Sequence, residues 1–373
     1  MKLTLSQITD LNLAIRNLSE HKFPNPSSSY RVSIWQRRIL TQYLFFMIVS
    51  RTVFRVLFAF VFLTGNAWSQ VKKDFISNPV IKGYFADPSM IKHQGNYYIY
   101  ATIDPWGGDE LAVWESADFV NWTQKHINWP TKQACTSPTS NGSKVWAPSV
   151  VKAPNGKFYM YVSVGSEIWA GVSNSPLGPW KNAKADNTPL LAGNSTPGVH
   201  IIDSDCFIDE DGKAYLYWGS GLNWVNGHCL AVKLKPDMIS FDGTPKDITP
   251  PHYFEGPHMI KRKGLYYLMY SDGKAIDATY KVRYSTSKTP FGPWTEGPKS
   301  PILATSADST TYGPGHHTVF REKGQDYILY HRIFPQKKEY VLRELCIDSL
   351  NFDAKGNIRK ITPTGVKSFA KKK

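Results

Sequence analysis

Cysteine is scarce: Cys135, Cys206, Cys229 and Cys346 are the only four in 373 residues, too few and too scattered for a disulfide-dependent scaffold. An oxidising compartment would permit one pair, with Cys206 and Cys229 the nearest in sequence; buried thiols within strands are the other reading. No Cys/His spacing resembles a zinc site. Asp209-Glu-Asp-Gly212 lacks the rest of an EF-hand pattern, which leaves a solvated hairpin turn. Long stretches of helical periodicity are absent, so the chain does not read as a helical fold. No basic helix or Lys/Arg cluster interleaved with stacking aromatics accompanies the formal charge of +14, so nucleic acid is a poor partner.

Long apolar runs are missing too. The longest, residues 56–63, is too short to span a bilayer. It follows Arg51 and Arg55 and precedes Ala67-Trp-Ser69, which offers small residues where a signal peptidase inspects them. Residues 1–69 therefore read as a secretory signal region, with cleavage near Ser69–Gln70 and a mature chain that is secreted or periplasmic and carries no membrane anchor. A signal of 69 residues is long, whereas counting from Met47 gives 23, so Met47 is the expected start. An anchor reaching back through Leu44-Phe-Phe-Met47 is the alternative. The leader holds eight Lys/Arg against two Asp/Glu, so residues 70–373 keep +8 of the +14.

What those 304 residues do contain is repetition. Tyr253-Phe-Glu-Gly-Pro-His-Met-Ile-Lys-Arg-Lys-Gly264 sets a blade start, a short apolar run and a turn glycine before the Tyr-rich Leu-Tyr-Tyr-Leu-Met-Tyr270. The same order recurs with turn glycines at 95, 156, 212, 264 and 324, spaced by 61, 56, 52 and 60 residues. Short strands recurring about every 50 residues indicate a propeller. Five copies predict an all-β, five-bladed β-propeller with four-stranded antiparallel blades, a single domain over residues 70–373 with no room for a second module.

In a propeller, residues at one offset in every repeat gather at one mouth of the central channel. Counted back eight or nine residues from the turn glycines, the innermost strands begin at Asp87, Ala147 or Pro148, Asp203, Glu255 and His316. Three carboxylates and a histidine are thus expected around one axial pocket. Asp before Pro is a common turn residue, and Asp203 or Asp205 could each merely cap a strand. Glu255, by contrast, has little local reason to precede Gly-Pro. Separated carboxylates around a pocket suit glycoside hydrolysis, in which one acid protonates the leaving oxygen and another carboxylate activates water or attacks carbon. A third beside the acid can raise its pKa and orient it. Loops after the second strands should form the rim, where Trp106, Trp169 and Trp224 could stack on a sugar and Arg332 could hydrogen-bond hydroxyls. Each could instead be blade packing. Trp146 and His316, at blade starts, are further substrate-binding candidates.

Ala86-Asp-Pro-Ser89, Trp146-Ala-Pro-Ser149, Ile202-Asp-Ser204, Glu255-Gly-Pro257 and Gly313-Pro-Gly-His-His317 resemble, in order, the blade starts of glycoside hydrolase family 43. The resemblance implies an inverting enzyme with Asp87 as general base, Glu255 as general acid and Asp203 tuning and positioning that acid. It implies no cofactor for the chemistry. His316 matches an axial histidine that in many members lies near calcium through waters, so calcium is the one metal ion it allows. The expected substrates are plant cell-wall polysaccharides or oligosaccharides of pentoses, as in xylan and arabinan degradation. The bulky rim favours exo action as an α-L-arabinofuranosidase or β-xylosidase; endo-arabinanase and exo-galactanase are the alternatives within the family. A retaining fructan-type propeller would need Arg-Asp-Pro and Glu-Cys signatures that are absent here. A non-catalytic sugar-binding propeller would leave the carboxylates unexplained.

Overall fold

Each repeat begins as a hairpin, and local chemistry sets its turn. Gln94-Gly95, Lys263-Gly264 and Lys323-Gly324 have positive φ at both positions (48° and 87°, 51° and 77°, 48° and 84°). That is the two-residue turn whose twist matches the strands it joins. The computed structural model describes residues 76–334 and 341–363; the signal region and the Met47 start lie outside the described residues. No helix occurs among the described residues, which form one compact unit.

The first blade holds β1 (Phe85–His93), β2 (Asn96–Ile103), β3 (Ala112–Ser116) and β4 (Thr123–Lys125). β5 (Val145–Lys152), β6 (Phe158–Val164), β7 (Glu167–Ser173) and β8 (Lys181–Asn182) form the second. The third comprises β9 (Asp205–Ile208), β10 (Ala214–Trp218), β11 (Leu230–Leu234) and β12 (Lys246–Asp247). β13 (Glu255–Arg262), β14 (Leu265–Asp272), β15 (Lys281–Ser287) and β16 (Thr295–Glu296) make the fourth, and β17 (Gly315–Glu322), β18 (Gln325–Ile333) and β19 (Arg343–Leu350) the fifth. Every pairing within the blades is antiparallel and runs in sequence order. Among the described residues the fifth blade has three regular strands, and its fourth place is taken from the other end of the ring. Residues 76–81 run along the free edge of β19 instead: Val80 N–H donates to Leu345 O at 2.8 Å, and the Asn78 amide exchanges two bonds with the Ile347 backbone. The start of the described chain closes the ring on its end.

Five apolar clusters fill the five junctions between blades. Tyr100, Val113, Met160 and Trp169 fill the first junction, Tyr161, Leu216 and Trp218 the second, and Tyr217, Met259 and Leu268 the third. Met269, Tyr284 and Ile328 fill the fourth, and Ile99, Trp114, Leu329 and Ile347 the last. Both faces of a blade are covered, which is why second strands such as Phe158-Tyr-Met-Tyr-Val162 are apolar throughout rather than alternating. The four cysteines are buried free thiols, so Cys206 and Cys229 do not pair.

The innermost strands β1, β5, β9, β13 and β17 touch in a closed cycle. Four of them bulge near their start, and in all five blades one residue there has positive φ: Asp87 (52°), Ala147 (43°), Asp203 (58°), Gly256 (59°) and His316 (37°). A bulge turns that residue out of the pleat and toward the axis. Two latches at the junctions hold it. Its N–H is received by a side chain of the preceding blade's second strand: Ala147 by Thr102 (2.8 Å), Asp203 by Ser163 (3.0 Å), His316 by Ser271 (2.9 Å) and Asp87 by His331 (3.3 Å). Two residues past the bulge, Ser89, Ser149, Asp205 and His258 each accept a backbone N–H of the next blade, from Val150, Cys206, Met259 and Val319.

Candidate active site

The equivalence of the bulges corrects the expected offset. Asp87, Asp203 and His316 share the bulge position, but in the fourth blade that position is Gly256, and Glu255 precedes it by one. The hairpins of the second and third blades run from Lys152 to Phe158 and from Ile208 to Ala214, longer than the two-residue turns elsewhere. Counting back from glycine therefore slips by one residue between blades. Glycine at 256 has its own cause: a Cβ there would stand 3.3 Å from the His316 ring. The carboxylates still meet, because a bulge residue and its predecessor both border the channel mouth. Asp87, Asp203 and Glu255 line one cavity of about 440 Å³ with Trp106, Trp146, Trp224 and His316.

Asp87 is buried and fully engaged. Its Oδ2 accepts from Thr102 Oγ1 at 2.7 Å, and its Oδ1 accepts from Arg343 Nη1 at 3.1 Å. His331 Nδ1 and His316 Nδ1 stand 3.2 and 3.4 Å from the same Oδ1. Burial alone would raise its pKa; Arg343, with His316 adding to it, outweighs that and holds the carboxyl well below the usual range. Burial also pushes His316 down to about 4, so at neutral pH it is uncharged and Arg343 is the standing cation. Arg343 is itself fixed by Asp104, with Nη2 2.6 Å from Oδ1 and Nε 3.0 Å from Oδ2. Its guanidinium lies 5.1 Å from the centre of the Trp106 ring.

Glu255 sits in a different environment. Its Oε1 accepts from Tyr280 OH at 2.8 Å and its Oε2 from Ser220 Oγ at 3.0 Å. Burial pushes the carboxyl up to about 7, with the Asp87 charge adding to it against the pull of the two hydroxyls and Arg343. Asp203 is pushed well above its ordinary value by burial first, then by the charges of Glu255 and Asp87. Asp205 faces away into the next junction, where it accepts from Met259 N–H at 2.9 Å and meets His258 Nδ1 at 3.1 Å.

Two expected rim residues lie elsewhere. Trp169 is completely buried in β7, in the junction between the first two blades, and its indole donates to Glu167 at 3.0 Å. The turn before β7 is too short to carry it to the mouth. Arg332 binds Glu344 at 3.1 Å and Thr310 O at 2.8 Å. Successive strand residues face opposite ways, so with His331 turned inward Arg332 points out, and Arg343 supplies the cation at the site. His200, Ser220, Phe254, Tyr280 and Arg343 are site residues without a sequence motif. The one available signal was an arginine at the start of the buried strand β19, where it would not stand unpaired.

Among the described residues, no three of His, Cys, Asp and Glu converge to hold a metal ion. The Nδ1 of His316 is turned to two carboxylates, 3.4 Å from Asp87 and 3.5 Å from Asp203. Calcium takes six to eight oxygens, which these side chains do not by themselves supply.

A five-bladed propeller with buried carboxylates in an axial, aromatic-walled pocket defines a carbohydrate-active propeller. The chain belongs to glycosyl hydrolases family 43, whose model matches residues 76–358, and is an O-glycosyl hydrolase of inverting mechanism. It is 36% identical over 303 residues to a β-D-galactofuranosidase of Aspergillus niger, a match covering 77% of this chain and 85% of that one. It is 32% identical to an arabinoxylan arabinofuranohydrolase of Bacillus subtilis, over 76% of this chain and 64% of the relative. A thermostable family-43 glycoside hydrolase of known structure superposes with a TM-score of 0.64 at 30% identity, covering 78% of this chain and 96% of that one.

Proposed function

We propose that the protein is an exo-acting α-L-arabinofuranosidase that removes terminal arabinofuranosyl units from plant cell-wall polysaccharides or oligosaccharides. The observation that carries the chemistry is the divergence of two carboxyls in one pocket, Asp87 held ionised by Arg343 and Glu255 pushed up to about 7 by burial. In this reading Asp87 takes a proton from a water whose oxygen attacks the anomeric carbon. Glu255 gives its proton to the departing glycosidic oxygen, and the configuration inverts. Asp203 serves as an orienter beside Glu255. Both oxygens of Glu255 accept from hydroxyls, whereas Asp203 meets the His316 ring at 3.5 Å. Burial is the main cause that keeps Glu255 protonated in this reading.

The furanoside reading is supported by the two relatives above, which act on a galactofuranoside and an arabinofuranoside. β-D-galactofuranose and α-L-arabinofuranose share their ring configuration and differ in the group beyond the ring. The walls formed by Trp106, Trp146 and Trp224 favour a pocket for a chain end over an open cleft. Identifying the sugar released from arabinan, arabinoxylan, xylo-oligosaccharides and a β-D-galactofuranoside tests this. Monomeric arabinose is the expected product; xylose or galactose as the main product, or internal arabinan fragments, would replace the assignment. The pattern over residues 51–69 supports export, with residues 70–373 as the mature catalytic domain. Amino-terminal sequencing of secreted protein should begin at Gln70.

A further inference from the structure

At three of the four junctions where a side chain receives the bulge N–H, that side chain is a hydroxyl: Thr102, Ser163 or Ser271. The junction that holds Asp87 uses His331 instead, completely buried, with Nε2 lacking any hydrogen-bond partner. A serine would serve the latch, so the imidazole ring has some other use. It lies flat against Tyr280, with ring centroids 5.6 Å apart and planes 5° from parallel. An edge of Tyr280 rests on Gly315, which pairs with His331 across β17 and β18, and a Cβ at Gly315 would stand 2.0 Å from the Tyr280 ring. Tyr280 is thus seated on a built platform. Its hydroxyl donates to Glu255, while His331 meets Asp87 through Nδ1.

We infer that Tyr280 and His331 are a stacked pair of positioning residues that ties the placement of Glu255 to that of Asp87. This rests on the proposed roles of those two carboxylates and adds a dependence between them. His331 touches Asp87 and not Glu255, yet through the stack it sets where the Tyr280 hydroxyl points. Glu255 is faced by Tyr280, by Ser220, by Asp87 and Asp203, by Arg343 from β19 and by Tyr253 just before β13. Among these donors and charges, only the Tyr280 hydroxyl is aimed by the stack.

The experiment is the kcat/KM profile against pH for wild type, Tyr280→Phe, His331→Asn and the double variant, on a natural arabinoside. Tyr280→Phe removes a hydrogen bond that favours the ionised acid, so the alkaline limb should move up by about one pH unit. His331→Asn keeps an acceptor for the Asp87 N–H and removes the ring. The inference expects it to move the same limb the same way, to lower kcat by up to about 10²-fold, and to add no further limb shift in the double variant. If Tyr280→Phe shifts the limb and His331→Asn leaves it in place, the stack transmits nothing and the inference is overturned. A limb unmoved by Tyr280→Phe overturns it as well. Should His331→Asn fail to fold, Gly315→Ala displaces the Tyr280 ring without altering either carboxylate and is read in the same way. Glu255→Gln separates the two levels: if the alkaline limb persists there, the assignment of Glu255 as the acid has failed, whatever His331 does.

Discussion

At the residue scale, two carboxyls of like chemistry are driven apart by their surroundings. Asp87 is hydrogen-bonded by Arg343 at 3.1 Å, whereas the hydrogen bonds to Glu255 come from two hydroxyls in a buried pocket. Asp87→Asn and Glu255→Gln should each lower turnover of natural glycosides by about 10²–10⁴-fold. An activated aryl glycoside, which needs little leaving-group protonation, should spare Glu255→Gln more than Asp87→Asn. The kcat/KM profile should fall as pH rises through about 7, because the acid then loses its proton. Asp203→Asn tests which member of the buried pair carries charge. If the proton that remains on the pair sits on Asp203, the substitution should leave the alkaline limb in place and lower kcat through lost orientation. A shift of that limb to lower pH would show that a charged Asp203 supports the acid.

At the scale of elements, the innermost strand does two jobs with adjacent residues. Its bulge residue is turned to the channel, and two residues later a side chain binds the next blade. Asp203 and Asp205 divide those jobs in the third blade. Val319 N–H donates to His258 Nε2 at 3.0 Å, so the proton of that ring sits on Nδ1 and is given to Asp205. One clasp thereby spans the third, fourth and fifth blades. Asp205→Asn should cost about 1–3 kcal/mol of stability, the range for disturbing a buried hydrogen-bonded group. Denaturant unfolding measures this, and the pH profile should be unchanged. A displaced alkaline limb with normal stability would instead place Asp205 at the chemistry.

At the largest scale the ring must close on itself, and among the described residues the last blade has its outer edge covered by residues 76–81. Asn78 makes two bonds to Ile347, at 3.1 and 2.8 Å, and Ile76 and Val80 join the apolar cluster between the fifth and first blades. Asn78→Ala should therefore lower unfolding free energy by about 1–3 kcal/mol. Its kcat, measured well below the unfolding temperature, should stay at the wild-type value. Unfolding identical to wild type would show that the apolar contacts of residues 76–81 close the ring without it.

The sequence by itself determined the number of blades, their starts and the presence of Asp87, Asp203 and His316 at the axis. These follow from signals a few residues long: a turn glycine, an apolar strand, and a polar residue at a repeated distance. It also marked Glu255, although for a reason the structure corrects, since hairpins of unequal length shift the count by one. What only the tertiary structure decided is which partners these groups meet. Arg343 reaches Asp87 across 256 residues of chain, and Tyr280 reaches Glu255 from a loop before β15 that carries no motif. Trp169 and Arg332 show the converse: their residue types suit a sugar, but the face of a strand is fixed by pairing and packing between blades. Ionisation depends on the distances and burial that these contacts set. The carboxylates of the axial pocket were therefore legible in the sequence, while the proposed division into base and acid rests on side chains brought together by closure of the ring.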